Sequence, residues 1–241
     1  MITYLRKIKR KYQEQFNWIA SMFYSNDDML MIVRNSIDYI VVDEMKYCFN
    51  NCSEGIIRQD DKQITSLTKE DTVLDIGANI GDWTILMAKK AKWVYAVEPL
   101  YYRELQGNIS INSIKNITIY SSAISKFDGI ELNVSFHNKS SLAPTITLKT
   151  LLNKFNKIDF LRCDCEGGEW CINPEDCKDI REMRFEFHIR RQYLKRDREM
   201  FMKWLNWFTK NNYQVTIDKS KLRSTVDFKE MWNVSASRVG R

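Results

Sequence analysis

Short apolar runs alternate with amphipathic stretches along most of the chain. Runs with the length and composition of buried strands lie at 73–74, 93–97, 117–120, 158–163 and 183–187. Segments with helical periodicity at 82–90 and 101–113 separate the first three runs. Strands that alternate with helices of this size indicate an α/β fold with a mostly parallel sheet, and its first strand begins at Thr72.

The second half of the chain departs from this rhythm. Residues 129–135 alternate between apolar and polar side chains, as an exposed strand does, and a helix is predicted to begin at 146–152. A further amphipathic helix is predicted at 197–211. The runs at 213–217 and 231–236 are predicted to close the sheet as an antiparallel pair.

The first part of the chain is predicted to be an addition to this fold. Residues 3–24 carry aromatic and aliphatic residues at helical spacing, and 31–34 and 39–43 are typical of short strands. We therefore predict an N-terminal α/β extension or cap over 1–64 and a main domain over 65–241. The extension could cover an acceptor pocket, form a homo-oligomer interface or bind a carrier.

Composition and charge indicate a globular domain and bear on the partners that it could bind. The 44% hydrophobic and 28% charged residues are ordinary for a globular domain. The net charge is +6, with basic clusters at 6–11 and 190–198 that could attract nucleic acid, phosphorylated glycans or an anionic membrane surface. Both clusters could equally be solvated helix faces.

The cellular location is predicted from targeting signals that the sequence does not contain. No apolar run reaches the roughly 20 residues that a membrane-spanning helix needs, so no transmembrane segment is predicted. The first ten residues carry charges where a signal peptide would need an apolar stretch. Six cysteines without any Cys-x-x-Cys pair are typical of free thiols in a reducing compartment. We predict a cytoplasmic protein.

A glycine-bearing turn between the first strand and the first helix is the strongest motif. It runs from Asp75 to Gly81 with glycine at 77 and asparagine at 79, and glycines there let backbone amides approach a ligand. Glu98, 17 residues beyond Gly81, ends the second strand where a carboxylate can accept hydrogen bonds from ribose hydroxyls, and Pro99 follows it. The pattern resembles the S-adenosylmethionine (SAM) binding loop of class I methyltransferases rather than a dinucleotide loop. A purely structural turn with an incidental glutamate is the alternative.

Charged side chains follow the next two strands. Asp164 and Glu166 lie two residues apart after the strand at 158–163, so in extended backbone they point to one face. Glu186 and His188 alternate with buried phenylalanines in the following strand. Because ligands of open α/β sheets bind beyond the carboxyl ends of the strands, three carboxylates and an imidazole are expected in one crevice.

These segments together resemble the FkbM family of SAM-dependent methyltransferases. The resemblance covers roughly 66–190, with Arg162 in place of the family's lysine and cysteines at 163 and 165 in place of aliphatic residues. It implies a Rossmann-like class I fold with a seven-stranded sheet and helices on both faces. It also implies a SAM site that includes the following residues: Asp75, Gly77, Asn79, Gly81, Glu98, Pro99, Ser122 and Ala123.

The family's chemistry implies O-methylation of a hydroxyl on a sugar, a glycan or a small metabolite. Such a transfer requires positioning and removal of the hydroxyl proton. His188 or Asp164 is the expected base, with Glu166 and Glu186 orienting it or holding the acceptor. A structural histidine is the alternative for His188. Mg²⁺ held by Asp164, Glu166 and Glu186 is an alternative use of the carboxylates.

Two other functions remain open at this stage. An RNA methyltransferase would use the basic clusters, although no RNA-binding motif is present and the Asn/Asp-Pro-Pro-Tyr signature of amino-methylating enzymes is absent after 158–163. A non-catalytic scaffold with this fold is the third possibility. Intact Asp75, Glu98 and Asp164 argue against a scaffold.

Overall fold

The computed structural model describes residues 31–34, 38–42, 45–48, 66–136, 139–155, 157–223 and 228–239. The helices predicted within 3–24 and the basic residues at 6–11 lie outside these ranges. The first described segments are strands β1 (Met31–Arg34), β2 (Asp38–Val42) and β3 (Met45–Cys48), which form an antiparallel three-stranded sheet. The strands predicted at 31–34 and 39–43 are therefore confirmed, the second shifted by one residue.

The main domain alternates strands and helices as predicted. Its first half consists of β4 (Thr72–Ile76), α1 (Asp82–Lys90), β5 (Trp93–Val97), α2 (Tyr102–Ile111), β6 (Ile117–Tyr120) and β7 (Ala123–Ile124). Its middle consists of β8 (Glu131–Phe136), β9 (Lys139–Ile146), α3 (Leu148–Lys154) and β10 (Phe160–Cys163). Its last part consists of β11 (Glu182–Arg190), α4 (Leu194–Lys210), β12 (Tyr213–Arg223) and β13 (Phe228–Arg238). No helix that the structure describes is long and apolar enough to cross a membrane.

Seven strands form the main sheet, in the order β12-β13-β11-β10-β4-β5-β6. The five strands β11, β10, β4, β5 and β6 are parallel to one another, whereas β13 runs antiparallel to both β11 and β12. The predicted mostly parallel, Rossmann-like sheet with a closing antiparallel pair is confirmed. Because β4, β5, β10 and β11 are parallel, the loops after them meet at one edge of the sheet.

The hairpin β8–β9 differs from the prediction. The strand expected at 129–135 lies at 131–136, and residues 139–146 form a second strand that was not predicted, ahead of the helix expected at 146–152. Polar residues and Pro144 give β9 a low strand propensity, so its pairing with β8 determines its conformation. Helix α3 begins only at Leu148, where the Thr147 side chain accepts a hydrogen bond from Thr150 N at 3.0 Å.

Aromatic packing fixes the orientation of β11. Phe185 lies with its ring centroid 4.7 Å from that of Trp204 on α4, and Phe187 lies 5.3 Å from Phe201 on the same helix. Alternate residues of a strand point to opposite faces, so the residues between and beyond these phenylalanines are directed away from α4. The apolar contact with α4 thereby determines which face of β11 carries Glu186 and the residue two positions later.

Strand β3 packs against the main domain. Tyr47 is 1% exposed and shares a hydrophobic cluster with Ile80, Leu100 and Tyr101, which lie in the loops after β4 and β5. Met45 belongs to the same cluster. The described part of the N-terminal segment therefore supports the two loops that the sequence associates with the cofactor.

Candidate functional site

The glycine turn connects β4 to α1 at the carboxyl edge of the sheet. Gly77 and Ala78 donate their backbone N–H groups to Val97 O, at 2.9 and 3.2 Å, which ties the turn to the end of β5. A Cβ placed on Gly77, whose φ is 83°, would lie 1.8 Å from the carbonyl oxygen of Asp164. Only glycine fits at this position, and the turn after β4 is in direct contact with the segment after β10.

Glu98 holds the turn after β5 against the glycine turn. Its Oε2 accepts a hydrogen bond from Asn79 N at 2.8 Å, and its Oε1 accepts from Leu100 N at 2.7 Å and Tyr101 N at 2.9 Å. Burial raises the pKa of the Glu98 carboxyl, although the three amides act in the opposite direction. Pro99 sits within the turn that these bonds close. The carboxylate lies where the sequence placed it, at the edge of the sheet beside the glycine turn.

Other predicted cofactor residues lie at the same edge. Asn79 has a φ of 50°, and its Oδ1 is buried without a hydrogen-bond partner among the residues that the structure describes. Ser122 follows β6 and donates its backbone N–H to Tyr120 O at 2.9 Å. Ala123 begins β7 and is buried. Gly81 precedes α1, where a Cβ would come within 2.5 Å of the Leu105 side chain.

Asp75 is part of a buried ionic chain. Its Oδ2 accepts a hydrogen bond from Thr84 Oγ1 at 2.6 Å, and its Oδ1 lies 3.0 Å from Arg162 Nη1. Arg162 Nη2 lies 2.9 Å from Asp164 Oδ2, so one guanidinium bridges the two carboxylates. Burial disfavours the Arg162 charge, but the neighbouring carboxylates raise its pKa. Asp82 is close to this chain, and burial raises its pKa to about 6.

The four predicted catalytic residues come together around one imidazole. His188 is fully buried, and its Nε2 lies 3.3 Å from Glu166 Oε2, 3.4 Å from Glu186 Oε1 and 3.8 Å from Asp164 Oδ1. We call these four residues the carboxylate–imidazole cluster. It lies beyond the ends of β10 and beside β11, at the edge that also carries the glycine turn.

The prediction that Asp164 and Glu166 share one face of extended backbone is wrong. Strand β10 ends at Cys163, and the chain then turns, with φ of 53° at Glu166 and 105° at Gly167. A left-handed pair of residues reverses the chain direction within a few residues. The two carboxylates approach His188 because of this turn, and not because of strand alternation.

Glu169 is a member of the site that the sequence did not single out. It is fully buried, and its Oε1 accepts a hydrogen bond from the backbone N–H of His188 at 2.7 Å and lies 3.2 Å from His188 Nδ1. Its Oε2 accepts from Gly167 N at 2.7 Å. In the sequence, Glu169 is the acidic residue that ends the segment 158–169, three positions after Glu166, and this position could have identified it. The structure places it in a turn of 3₁₀-helix.

The environment of the cluster raises the pKa of two of its members, His188 and Glu166, for different reasons. Burial by itself lowers the pKa of His188, but the carboxylates of Glu169, Glu186 and Glu166 raise it well above its usual value of 6.5. Burial raises the pKa of Glu166 to about 7, with His188 acting against this shift and the other carboxylates adding to it. The imidazole is therefore held protonated at neutral pH, whereas Glu166 exchanges its proton near neutrality.

Comparison with known proteins places this site within a family. The sequence model of the family described as "Methyltransferase FkbM domain" matches residues 75–215, which include the glycine turn, Glu98 and the whole carboxylate–imidazole cluster. Among curated proteins, the probable ribosomal RNA small subunit methyltransferase A of Methanosarcina mazei is 35% identical over 116 residues, which are 47% of this chain and 42% of the relative. The same protein of Methanosarcina barkeri is 33% identical over 120 residues, with 47% and 39% covered. The chain spans about two fifths of the length of the curated relatives it matches.

Solved structures of methyltransferases are similar to this chain at low sequence identity. The M. jannaschii TYW2 structure in complex with AdoMet is 14% identical, with 89% of each chain covered and a TM-score of 0.46. The putative methyltransferase SMU.1697c from Streptococcus mutans, in complex with SAH, is 9% identical, with 71% of this chain and 90% of that chain covered and a TM-score of 0.47.

Proposed function

This chain belongs to the FkbM family of SAM-dependent methyltransferases, and on that premise we propose that it transfers a methyl group to a hydroxyl oxygen of a sugar, a glycan or a small metabolite. The observation that carries the proposal is the side chain of Glu166. Its carboxylate stands at the rim of a buried charged cluster, and its pKa of about 7 suits a group that accepts a hydroxyl proton. An acceptor amine of a nucleobase would not require such a base.

The residues at the glycine turn fit SAM. Asn79 Oδ1 is a buried acceptor that the described residues leave without a hydrogen bond, as expected where a ligand supplies the donor. We assign SAM to the edge formed by Gly77, Asn79 and Gly81, with Glu98 receiving the ribose hydroxyls beside its backbone partners. Bound SAM supplies an electrophilic methyl group on a sulfonium centre.

Further positions belong to the same assignment. Ser122 and Ala123 follow β6 and would line the cofactor site together with Pro99. Asp75 contacts Thr84 and Arg162, so we propose that it acts on the cofactor by holding the turn in place.

We propose Glu166 as the base. Its side chain is 31% exposed, so an acceptor hydroxyl can reach it, whereas the His188 side chain is fully buried. In the reaction, Glu166 would take the proton of the acceptor hydroxyl as that oxygen bonds to the methyl carbon and the bond from this carbon to the sulfonium sulfur breaks, with S-adenosylhomocysteine as the leaving group. His188, held protonated by its neighbours, orients Glu166 and Glu186, and Asp164 links the cluster to Arg162. This proposal replaces the expectation that His188 or Asp164 is the base, because the His188 side chain is fully buried and held protonated.

A second candidate for the cluster is a divalent-cation site. The ligand atoms of Asp164, Glu186 and His188 all lie within 4.8 Å of one another. Glu169 holds the other ring nitrogen of His188, as a carboxylate commonly does behind a metal-binding imidazole. Two carboxylates and an imidazole fit a mixed oxygen and nitrogen set better than the all-oxygen set that Mg²⁺ prefers, so Mn²⁺ belongs in the test beside Mg²⁺.

The cation test uses methyl transfer by the purified full chain. Activity unchanged after EDTA treatment, with no gain on addition of Mg²⁺ or Mn²⁺, supports proton transfer through Glu166 alone. Loss of activity with EDTA that a stoichiometric amount of one cation restores assigns the cluster to that cation.

An RNA acceptor is the alternative substrate class. The curated relatives carry names that assign them to ribosomal RNA, and basic residues at 190–198 lie after β11. Within RNA, the cluster would favour a ribose hydroxyl over a base amine, because the segment after β10 is Asp164-Cys165-Glu166 where amino-methylating enzymes carry a different signature.

The deciding experiment supplies tritiated-methyl SAM and the purified chain to fractionated host extract. Label in a saccharide, a lipid-linked sugar or a small metabolite is the expected result. Label that nuclease releases would replace this acceptor class with RNA. A Glu166→Gln variant is the control, because label that persists with this variant does not arise from the proposed site.

A further inference from the structure

We infer that a basic rim after β11 binds a phosphate group of the acceptor, so that the substrate is a phosphorylated hydroxyl compound such as a sugar phosphate or a sugar diphosphate. The inference deepens the proposed function and rests on it. We define the basic rim as Arg190, Arg191, Lys195 and Arg196, which lie at the end of β11 and in the first turn of α4.

The basic rim borders the carboxylate–imidazole cluster. Glu186 and His188 share one face of β11, and Arg190 ends the strand two residues later, at a register shift between β11 and β13. A Cβ on Gly167 would lie 3.2 Å from Arg190 Nη1, and Gly167 follows Glu166 directly. Arg190 therefore lies beside the segment that carries Glu166, so a single acceptor molecule can contact both.

One buried carboxylate organises the two guanidiniums of the rim. Arg190 contacts Asp197 through Nε at 2.9 Å and Nη2 at 3.1 Å, and Arg196 contacts the Oδ1 of Asp197 through Nε and Nη2, both at 3.1 Å. Asp197 is fully buried, while the side chain of Arg196 is 51% exposed. Two fixed guanidiniums around a single carboxylate leave a net positive charge whose geometry is set before a ligand arrives.

The position of these charges on α4 points to an anion. Lys195 and Arg196 occupy the first turn of a 17-residue helix, where the helix dipole disfavours cations. Tyr193 at the N-cap makes no side-chain capping bond, and Asp197, the acidic residue of the first turn, is shared between Arg190 and Arg196, so one carboxylate faces two guanidiniums. A phosphate would satisfy the cations and would itself be favoured by the dipole.

The rim fits a compact phosphate better than an RNA strand. Arg196 already lies over the ring of Tyr193, with its guanidinium carbon 3.9 Å from the ring centroid, and Arg190 lies 5.0 Å from the same centroid. The ring is thus engaged by guanidiniums rather than presented to a base. Beyond the rim, Arg198 pairs with Glu230, so the next cation along α4 is neutralised instead of extending a basic track for a nucleic-acid backbone.

The test measures binding of inorganic pyrophosphate to the full chain by titration calorimetry at fixed ionic strength. The test variant is Lys195→Gln/Arg196→Gln, which leaves Arg190 to pair with Asp197. The matched control is Lys203→Gln/Lys210→Gln, which removes two exposed charges from the rest of the same helix. We expect the test variant to lose at least about tenfold in pyrophosphate affinity and the control to retain wild-type affinity.

Three results would overturn the inference. The first is pyrophosphate affinity that is equal in the wild type and the test variant, and the second is a wild-type chain that does not bind pyrophosphate. The third is a short single-stranded RNA that binds more tightly than pyrophosphate and loses affinity in the test variant, which assigns the rim to nucleic acid. SAM binding is titrated in the same samples, because a wild-type chain that fails to bind SAM refutes the proposed function and not the phosphate site.

Discussion

Glu169 holds His188 from two sides, since one carboxylate oxygen accepts the backbone N–H of His188 at 2.7 Å and lies 3.2 Å from its Nδ1. The imidazole therefore turns its Nε2 toward Glu166, Glu186 and Asp164. A residue that never reaches solvent thus determines the orientation and the charge of the group at the centre of the cluster.

Replacing Glu169 tests this relationship. In Glu169→Gln the negative charge that holds the imidazolium is lost, so the His188 pKa falls and its ring is less firmly oriented. We expect kcat to fall on the order of 10²-fold, with little change in SAM affinity. Steady-state kinetics and SAM titration separate the two effects. Glu175→Gln, on an exposed turn nearby, is the control; equal losses in both variants would point to general destabilisation.

The pH–rate profile tests Glu166 as the base. A base must be deprotonated, so kcat/KM is expected to rise with pH and to level off above the Glu166 pKa of about 7. Glu166→Gln should lower kcat by about 10² to 10⁴-fold and remove this rising limb. A rising limb that persists in Glu166→Gln would assign the base to another group of the cluster.

Glu98→Gln tests the turn after β5. A glutamine amide has one accepting oxygen, whereas Glu98 accepts through both of its oxygens from Asn79, Leu100 and Tyr101. The variant therefore loses part of the hydrogen bonding that holds the two loops together. We expect SAM to bind about tenfold more weakly or worse, because charge-assisted hydrogen bonds contribute roughly 1.5–3 kcal/mol each. Calorimetric titration measures the change. Glu131→Gln on the exposed strand β8 should bind SAM as the wild type does.

The stability of the chain should depend on pH through its buried acids. Asp82 and Glu166 have folded-state pKa values of about 6 and about 7, above the ordinary values of 3.8 and 4.5. Between those limits the folded state binds more protons than the unfolded state, so the free energy of unfolding falls as pH rises. His188 adds stability below pH 6.5 that is lost as pH rises through its higher folded value. Denaturant unfolding at about pH 5 and pH 8 should give the higher stability at pH 5. The reverse order would contradict these assignments.

Tyr47 tests the support that β3 gives to the cofactor loops. Tyr47→Ala removes a buried ring from the cluster with Ile80, Leu100 and Tyr101, and we expect a loss of about 3–5 kcal/mol in stability together with weaker SAM binding. The melting temperature and a SAM titration provide the two measurements. Tyr47→Phe keeps the ring, and its hydroxyl lies 3.5 Å from Asp82 O, so this variant should stay close to wild type.

The sequence was sufficient for the main sheet and for the membership of the charged cluster. Local periodicity predicts buried strands such as β5 and β11, and the glycine turn and Glu98 lie at fixed spacing from them. Residue types that are costly to bury, such as Glu186 and His188, therefore indicate a site from the sequence alone.

The remaining features depend on contacts between distant segments. The glycines at 167 and 168 predict a sharp turn, but the left-handed conformation begins one residue earlier, at Glu166, which the residue types do not indicate. The contact of Glu169 with His188 depends on the pairing of β10 with β11, which brings the segments after and within these strands together. Strand β9 has polar residues that local propensity assigns to a loop, and its pairing with β8 overrides that preference.

The close approach of Gly77 to Asp164 means that the turn after β4 and the segment after β10 can change only together. With 1.8 Å between a would-be Cβ and the opposing carbonyl, no substitution at position 77 can be absorbed unless the segment after β10 moves as well. Exchanging the segment after β10 with that of a relative therefore requires a turn after β4 that keeps glycine at position 77. A chimera that combines the two segments from different parents is expected to fold only when this glycine is retained.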